Sequence, residues 1–303
     1  KIMNKPNLLL ATSTFNKSKN EFIKKIINKK FNPIYNPNNR KLTEKELIQL
    51  LINNKINYVV AGLEPYNSNV LKNTNLKIIS RLGSGISNVD TKTTKSKKIK
   101  VFSTPDGPIE AVSELTLGMI ITMLREVINL NDKMHKNIWE REIGNLLFKK
   151  NVLIIGYGRI GKNLKRLLNP FKANVIIYDK NKKYNKNINY IPLKEAIPKA
   201  DIITFHTNTE KEIIGKSEFK LLKKGVIICN SSRGSVLNEK EIINYIRKKI
   251  IKKIWLDVFN DEPYFGEMSK YKNIIMTPHI GSFTEETRKK MELKAIQNII
   301  NNM

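Results

Sequence analysis

The chain has 303 residues, 40% of them hydrophobic and 27% charged, a balance that excludes a disordered chain and allows two domains of ordinary size. Lys and Arg number 55 against 27 Asp and Glu, a formal charge of +28, but the lysines are dispersed, as in "NKKYNKNINY"; without a basic block, aromatic-interleaved strand or zinc-finger spacing, neither a nucleic-acid partner nor a metal site is expected. The one cysteine, Cys229, excludes an internal disulfide, fits a cytoplasmic, reducing setting, and lies in an apolar run as an inert core thiol.

In chain order, "KIMNKPNLLLAT" is expected to lead into a first strand, "NLLLA", rather than to be a signal peptide. "TEKELIQLLINN" follows as an amphipathic helix whose Thr43 and Glu46 have capping-box spacing. "NYVVAG", "LKIISR" and "KVFST" are further strands. "STPDGP" at 103–108 punctuates the chain with Pro105, Gly107 and Pro108, and marks a domain boundary. The helix "AVSELTLGMIITMLREV" comes next; its core "LTLGMIITML" is too short to cross a bilayer.

The remaining strands are "NVLIIG", "NVIIYD", "ADIITF", "GVIICN", "KIWLDVF" and "NIIMTP", with a closing helix over about 284–303. Valine- and isoleucine-rich runs without period-two polarity are what strands buried on both faces look like, and helices between them imply parallel sheets. The fold class is therefore α/β, with two doubly wound parallel-sheet, Rossmann-like domains. The closing helix either completes the second domain or crosses back to the first, and two crossings would create a hinge and a cleft.

"GYGRIG" places Gly156, Gly158 and Gly161 in G-x-G-x-x-G spacing after a buried strand and at the opening of a helix. The first glycine permits the tight turn, the second a close approach of backbone to pyrophosphate, the third close helix–strand packing. With Arg159 and Ile160, they form the expected dinucleotide loop. Asp179 ends the next strand; its carboxylate suits the two ribose hydroxyls and repels a 2′-phosphate, favouring NAD over NADP. Lys180, Lys182 and Lys183 nearby could offset that repulsion.

Arg233, Glu262 and His279 each follow a predicted strand, at the edge where open parallel sheets place ligands. Reduction of a 2-oxo acid needs a hydride on carbon, a proton on oxygen and an anchor for the carboxylate. His279 can give and take the proton, a carboxylate such as Glu262 would favour its charged form, and Arg233 offers a planar fork to a carboxylate. Asp257 is expected to face the nicotinamide carboxamide or to cap its strand, and His206 to line the adenine side or the core. His135 is expected at the surface.

Together these segments resemble the D-isomer-specific 2-hydroxyacid dehydrogenases, in particular their phosphoglycerate dehydrogenase branch. "RLGSGISNVD", "STPDGPIEAVSELTLG", "GYGRIG", "NSSRGSVLNE", "DVFNDEP" and "TPHIGS" match the family's signatures in their expected order. The resemblance implies a catalytic Arg233–Glu262–His279 set, with His–Glu as proton relay, and Ser84 and Gly85 as backbone donors to the substrate carboxylate, with Arg81 a further anion contact. It implies a cofactor domain (104–283) inserted into a discontinuous, flavodoxin-like substrate domain (1–103 and 284–303), and a homodimer built on the cofactor domains and the helix near 108–130. Glu64 stands in the 61–68 loop, which lacks an arginine, and this argues against phosphoglycerate as substrate. The alternative expectation is an NAD-sensing, corepressor-like interaction protein on the same fold.

Overall fold

The computed structural model describes residues 5–15, 19–38, 40–181 and 190–303. The chain forms two compact units, Lys1–Pro108 with Ser282–Met303, and Ile109–Gly281.

The first unit opens with β1 (Asn7–Leu10), α1 (Glu21–Lys30), β2 (Asn32–Tyr35), α2 (Glu44–Asn53), β3 (Tyr58–Ala61), α3 (Ser68–Lys72), β4 (Ile78–Arg81), α4 (Thr91–Ser96) and β5 (Lys100–Ser103). All five strands pair in parallel in the order β2-β1-β3-β4-β5. Successive side chains of a strand point to opposite faces, so the apolar runs feed two cores. Leu9, Val59 and Ile79 pack with Leu47 and Leu51 of α2 on one face. Leu8, Leu10, Val60 and Ile78 pack on the other face with Ile23 and Ile27 of α1. The Thr43 capping box forms as its spacing predicts. β2 was not legible in the sequence: "NPIY" carries Pro33, which lacks a ladder donor and is tolerated because the strand is at the edge.

The second unit runs α5 (Ile109–Leu124), α6 (Val127–Met134), β6 (Asn151–Ile155), α7 (Arg159–Leu168), β7 (Asn174–Tyr178), α8 (Leu193–Ala196), β8 (Ile202–Phe205), α9 (Lys216–Phe219), β9 (Val226–Asn230), α10 (Glu239–Arg247), β10 (Ile251–Leu256) and β11 (Ile274–Met276). The chain then returns to the first unit as α11 (Glu285–Ile300), whose Ala295, Ile296 and Ile299 complete the core beside α1.

The second sheet is also wholly parallel, ordered β11-β10-β9-β8-β6-β7. Tyr190 adds a single parallel bridge to Ile177 beyond β7, so strand order reverses at β6 and β8. A crevice opens beyond the carboxyl ends of strands where such a reversal occurs. Val152, Ile154, Ile202 and Trp255 face Ile120, Met123, Leu164 and Leu168 of α5 and α7. Leu153, Ile155, Ile203 and Leu256 face α8, α9 and α10. Both faces of the strands are covered, which is why none of these strands shows a polar alternation. Among the described residues, no helix is long and apolar enough to cross a membrane.

Candidate active site

The loop after β6 shows why two of its three glycines are needed by the fold itself. Gly156 has φ +96°, and a Cβ on it would lie 2.4 Å from the His206 carbonyl oxygen. A Cβ on Gly161 would lie 2.2 Å from the Gly156 oxygen, so α7 could not close onto the turn. Gly158 is the opposite case: it is exposed, and a Cβ there meets no atom within 4 Å. Its backbone faces open space at the start of a helix that has no side-chain cap. Uncapped N–H groups and the positive end of a helix dipole together suit phosphate oxygens. Arg159 is exposed on the first turn, while Ile160 is half-buried and its carbonyl accepts the Ser113 hydroxyl at 3.4 Å.

Asp179 stands immediately after β7 and closes on this loop. Its Oδ2 accepts the Tyr157 N–H at 2.6 Å and its Oδ1 the Asn181 N–H at 2.8 Å. A carboxylate has about four acceptor positions, so capacity is left for two hydroxyls of a ribose. The Tyr157 ring meets Tyr190 edge-on, and the ammonium groups of Lys162 and Lys165 lie 6.0 and 5.8 Å from its centre. Lys180 is exposed; Lys182 and Lys183 lie outside the described residues. The open glycine, the uncapped helix and the strand-end carboxylate fit a dinucleotide.

His206, at the end of β8, is on the other side of the reversal. Its ring is buried, with Nε2 2.8 Å from the Thr204 hydroxyl and no hydrogen-bond partner at Nδ1. Burial lowers its pKa to about 3, so the ring is neutral. It packs under the glycine turn through its backbone oxygen.

β9, β10 and β11 are neighbours in the sheet, and the loops leaving them carry Arg233, Glu262 and His279. His279 Nδ1 lies 2.9 Å from Glu262 Oε2. Glu262 is aimed by a second bond, its Oε1 accepting the Phe259 N–H at 3.1 Å. A carboxylate can only accept, so Nδ1 carries the hydrogen and Nε2 is left to exchange a proton. The pair is partly exposed, at 39% for the histidine and 26% for the glutamate, so the ring is accessible to a ligand. His279 itself has φ +53°, a conformation that costs an L-residue about 1 kcal/mol or more.

The loop that carries Arg233 meets the Glu262 loop through the next residue. A Cβ on Gly234 would fall 2.1 Å from the Phe259 carbonyl carbon, so the β9 and β10 loops are in backbone contact. The guanidinium is partly spoken for: Nε donates to Glu210 Oε1 at 3.0 Å and Nη1 to the Ser232 carbonyl at 2.6 Å. These bonds use two of the five guanidinium hydrogens, and the others, on Nη1 and Nη2, can still meet a carboxylate. Glu210 was not legible from sequence, because nothing in "TEKE" marks one glutamate as the partner of a residue 23 positions on.

Asp257 is only 1% exposed, and its carboxylate takes three donors from the 277–281 loop. Burial raises its pKa, with the Thr277 hydroxyl and the Ile280 and Gly281 N–H groups opposing the rise. The structure therefore places Asp257 as the clamp of the histidine loop. In the first unit, Arg81 ends β4 and donates to the Leu82 carbonyl, followed by exposed Ser84 and half-buried Gly85. Gly83 is tied there, its N–H donating to the Thr104 hydroxyl at 2.8 Å. Glu64 is buried in the loop after β3, accepting the Gly62 N–H at 2.7 Å. His135 is exposed at the end of α6.

Comparison with known proteins places this constellation in context. The family profile described as D-isomer specific 2-hydroxyacid dehydrogenase, NAD binding domain, matches residues 117–281. D-3-phosphoglycerate dehydrogenase of Methanocaldococcus jannaschii is 31% identical over 259 residues, 82% of this chain and 49% of that one, so the chain spans about half the length of this relative. Hydroxypyruvate reductase of Thermotoga maritima is 30% identical over 235 residues, covering 74% and 77% of the two chains. Among solved structures, D-lactate dehydrogenase of Aquifex aeolicus, complexed with NAD and lactic acid, shares the fold with a TM-score of 0.82 at 21% identity, covering 97% and 94% of the chains.

Proposed function

Since the chain belongs to the D-isomer specific 2-hydroxyacid dehydrogenases, a family of NAD-dependent oxidoreductases, we propose that it interconverts a small 2-oxo acid and its D-2-hydroxy acid. The observation that carries this reading is the 2.9 Å bond between His279 Nδ1 and Glu262. A nicotinamide dinucleotide bound at the glycine loop supplies the hydride or takes it up. In the reductive direction His279 delivers a proton from Nε2 to the substrate oxygen, and in the oxidative direction it removes that proton. Glu262 holds the Nδ1–H and stabilises the imidazolium. Arg233 receives the substrate carboxylate on guanidinium hydrogens beyond the two that Glu210 and the Ser232 carbonyl take. Arg81, Ser84 and Gly85 are the first unit's candidates for substrate contacts.

Asp179 supports NAD over NADP, since its carboxylate is drawn into the glycine loop, where a 2′-phosphate would meet it. The substrate is a small, unphosphorylated 2-oxo acid of the glyoxylate or hydroxypyruvate kind, the compounds for which several relatives are named. Glu64 supports this, since it puts a negative group rather than an arginine in the β3 loop. A homodimer is supported by the apolar side chains exposed between residues 127 and 148 of the second unit. A cytosolic setting fits the buried, reduced Cys229.

The test is NADH oxidation with glyoxylate, hydroxypyruvate, pyruvate and phosphohydroxypyruvate. His279→Ala should lower turnover about 100- to 10,000-fold while NADH still binds; unchanged turnover removes the proton relay. NADH binding without turnover of any 2-oxo acid would favour the sensing alternative, and a preference for NADPH would overturn the cofactor assignment.

A further inference from the structure

The clamp around His279 extends further than one carboxylate. Asp257 Oδ1 accepts the Thr277 hydroxyl at 2.6 Å and the Ile280 N–H at 2.8 Å, and Oδ2 accepts the Gly281 N–H at 2.7 Å. The Thr277 hydroxyl in turn accepts the indole N–H of Trp255 at 3.0 Å. Each link has only one possible direction: the indole can only donate, and the carboxylate can only accept. The hydroxyl's single hydrogen therefore goes to Asp257. Thr277 also takes the His279 N–H on its backbone carbonyl at 2.9 Å, and its own N–H donates to Leu256 at 3.0 Å.

Trp255 and Asp257 lie in or just after β10, between β11 and β9 in the sheet, and both are essentially buried. The loop they grip spans 277–281, and its middle residue is His279 with φ +53°. A strained backbone of this kind persists only where its surroundings over-determine it. Here the determinants fall on both sides of the histidine, Thr277 before it and Ile280 and Gly281 after it. Gly281 has little room to move: a Cβ there would lie 2.9 Å from Asp257 Oδ2 and 3.3 Å from Val112 Cγ2.

We propose that the Trp255–Thr277–Asp257 chain is a positioning device that sets the ring of His279 against Glu262, with the Thr277 hydroxyl as its central link. None of the three is assigned a part in the proton transfer itself. The inference rests on the reading of His279 as the acid–base group. Misplacing a reacting group by about 1 Å costs on the order of 100-fold, so the device should act on turnover and leave cofactor binding alone.

Thr277→Val keeps the side-chain shape and removes the hydroxyl, and Thr277→Ser restores it. With glyoxylate or hydroxypyruvate, whichever the wild type reduces, the valine variant should lose about 10- to 100-fold in kcat. Its KM for the 2-oxo acid and Kd for NADH should stay within about threefold of wild type, and serine should recover most of the kcat. A valine variant with wild-type kcat, or valine and serine variants equally impaired, overturns the proposal. If the valine variant does not fold, Gly281→Ala serves instead, because it deletes no hydrogen-bonding group and its Cβ presses first on Asp257 Oδ2, at 2.9 Å, and less on Val112 Cγ2, at 3.3 Å. Wild-type turnover in that variant likewise overturns the proposal, and a kcat loss with NADH affinity retained supports it. His279→Ala, assayed alongside, separates the two readings. If it is inactive while Thr277→Val is unimpaired, the device fails and the relay stands; if it is active, the relay fails and the device with it.

Discussion

Burial alone fixes the charge of His206, and this has a consequence for stability. The folded pKa is about 3, against about 6.5 for an unperturbed imidazole. Between these values the unfolded chain binds a proton that the native ring does not, so stability rises with pH through this window and is lost as pH falls from about 6.5 toward 3. For one proton the slope is about 1.4 kcal/mol per pH unit. Urea denaturation of wild type and His206→Gln between pH 4 and 7 should show this slope in the difference between the two. Parallel curves would mean that the ring is protonated in the native state. Cys229 is another buried titratable group in this sheet, and burial pushes its thiol up, consistent with a packing role.

At the scale of elements, the β6–α7 junction separates folding from binding in three adjacent glycines. Gly161→Ala places a Cβ against the Gly156 carbonyl, a backbone atom that cannot swing aside, and should cost about 1–3 kcal/mol of stability. Gly158→Ala meets nothing in the protein and should cost less than about 1 kcal/mol. Its methyl instead occupies the space that phosphate would approach, so NADH affinity should fall about tenfold or more. Thermal unfolding and NADH fluorescence titration of both variants distinguish the two effects, and an alanine at 158 that leaves NADH binding intact would remove the loop from the cofactor site. Much of this organisation is readable from the chain, because strands buried on both faces appear as unbroken apolar runs and the site residues follow them directly. What escapes are features settled by distant partners. The helix pattern runs on to Val127, yet α5 stops at Leu124, where Glu126 adopts φ +57° and its carboxylate reaches Lys253 at 2.8 Å and Lys252 at 3.1 Å. Motif spacing brings out His279 and Glu262, but the links from Thr277 to Trp255 and Asp257 cross 22 and 20 residues and leave no local pattern.

For the whole molecule, two surface properties oppose each other in self-association. The second unit exposes Trp139 at 80%, Ile143 at 98% and Leu146 at 68%, with Met134 and Phe148 near them. Burying large apolar side chains contributes about 1.5–3 kcal/mol each, which favours pairing of two copies through this segment. Each copy also carries a net charge of +28, which repels the other. Salt acts on these terms unequally. It shortens the screening length from about 10 Å at 0.1 M to about 3 Å at 1 M, removing repulsion while leaving apolar burial intact or strengthened. A dimer formed through this segment should therefore tighten with salt, its dissociation constant falling about tenfold between 50 and 500 mM NaCl in sedimentation equilibrium. Ile143→Lys should leave the protein monomeric across that range. An interface held by ion pairs would show the opposite salt trend and be indifferent to Ile143, and either result would rule out self-association through residues 127–148.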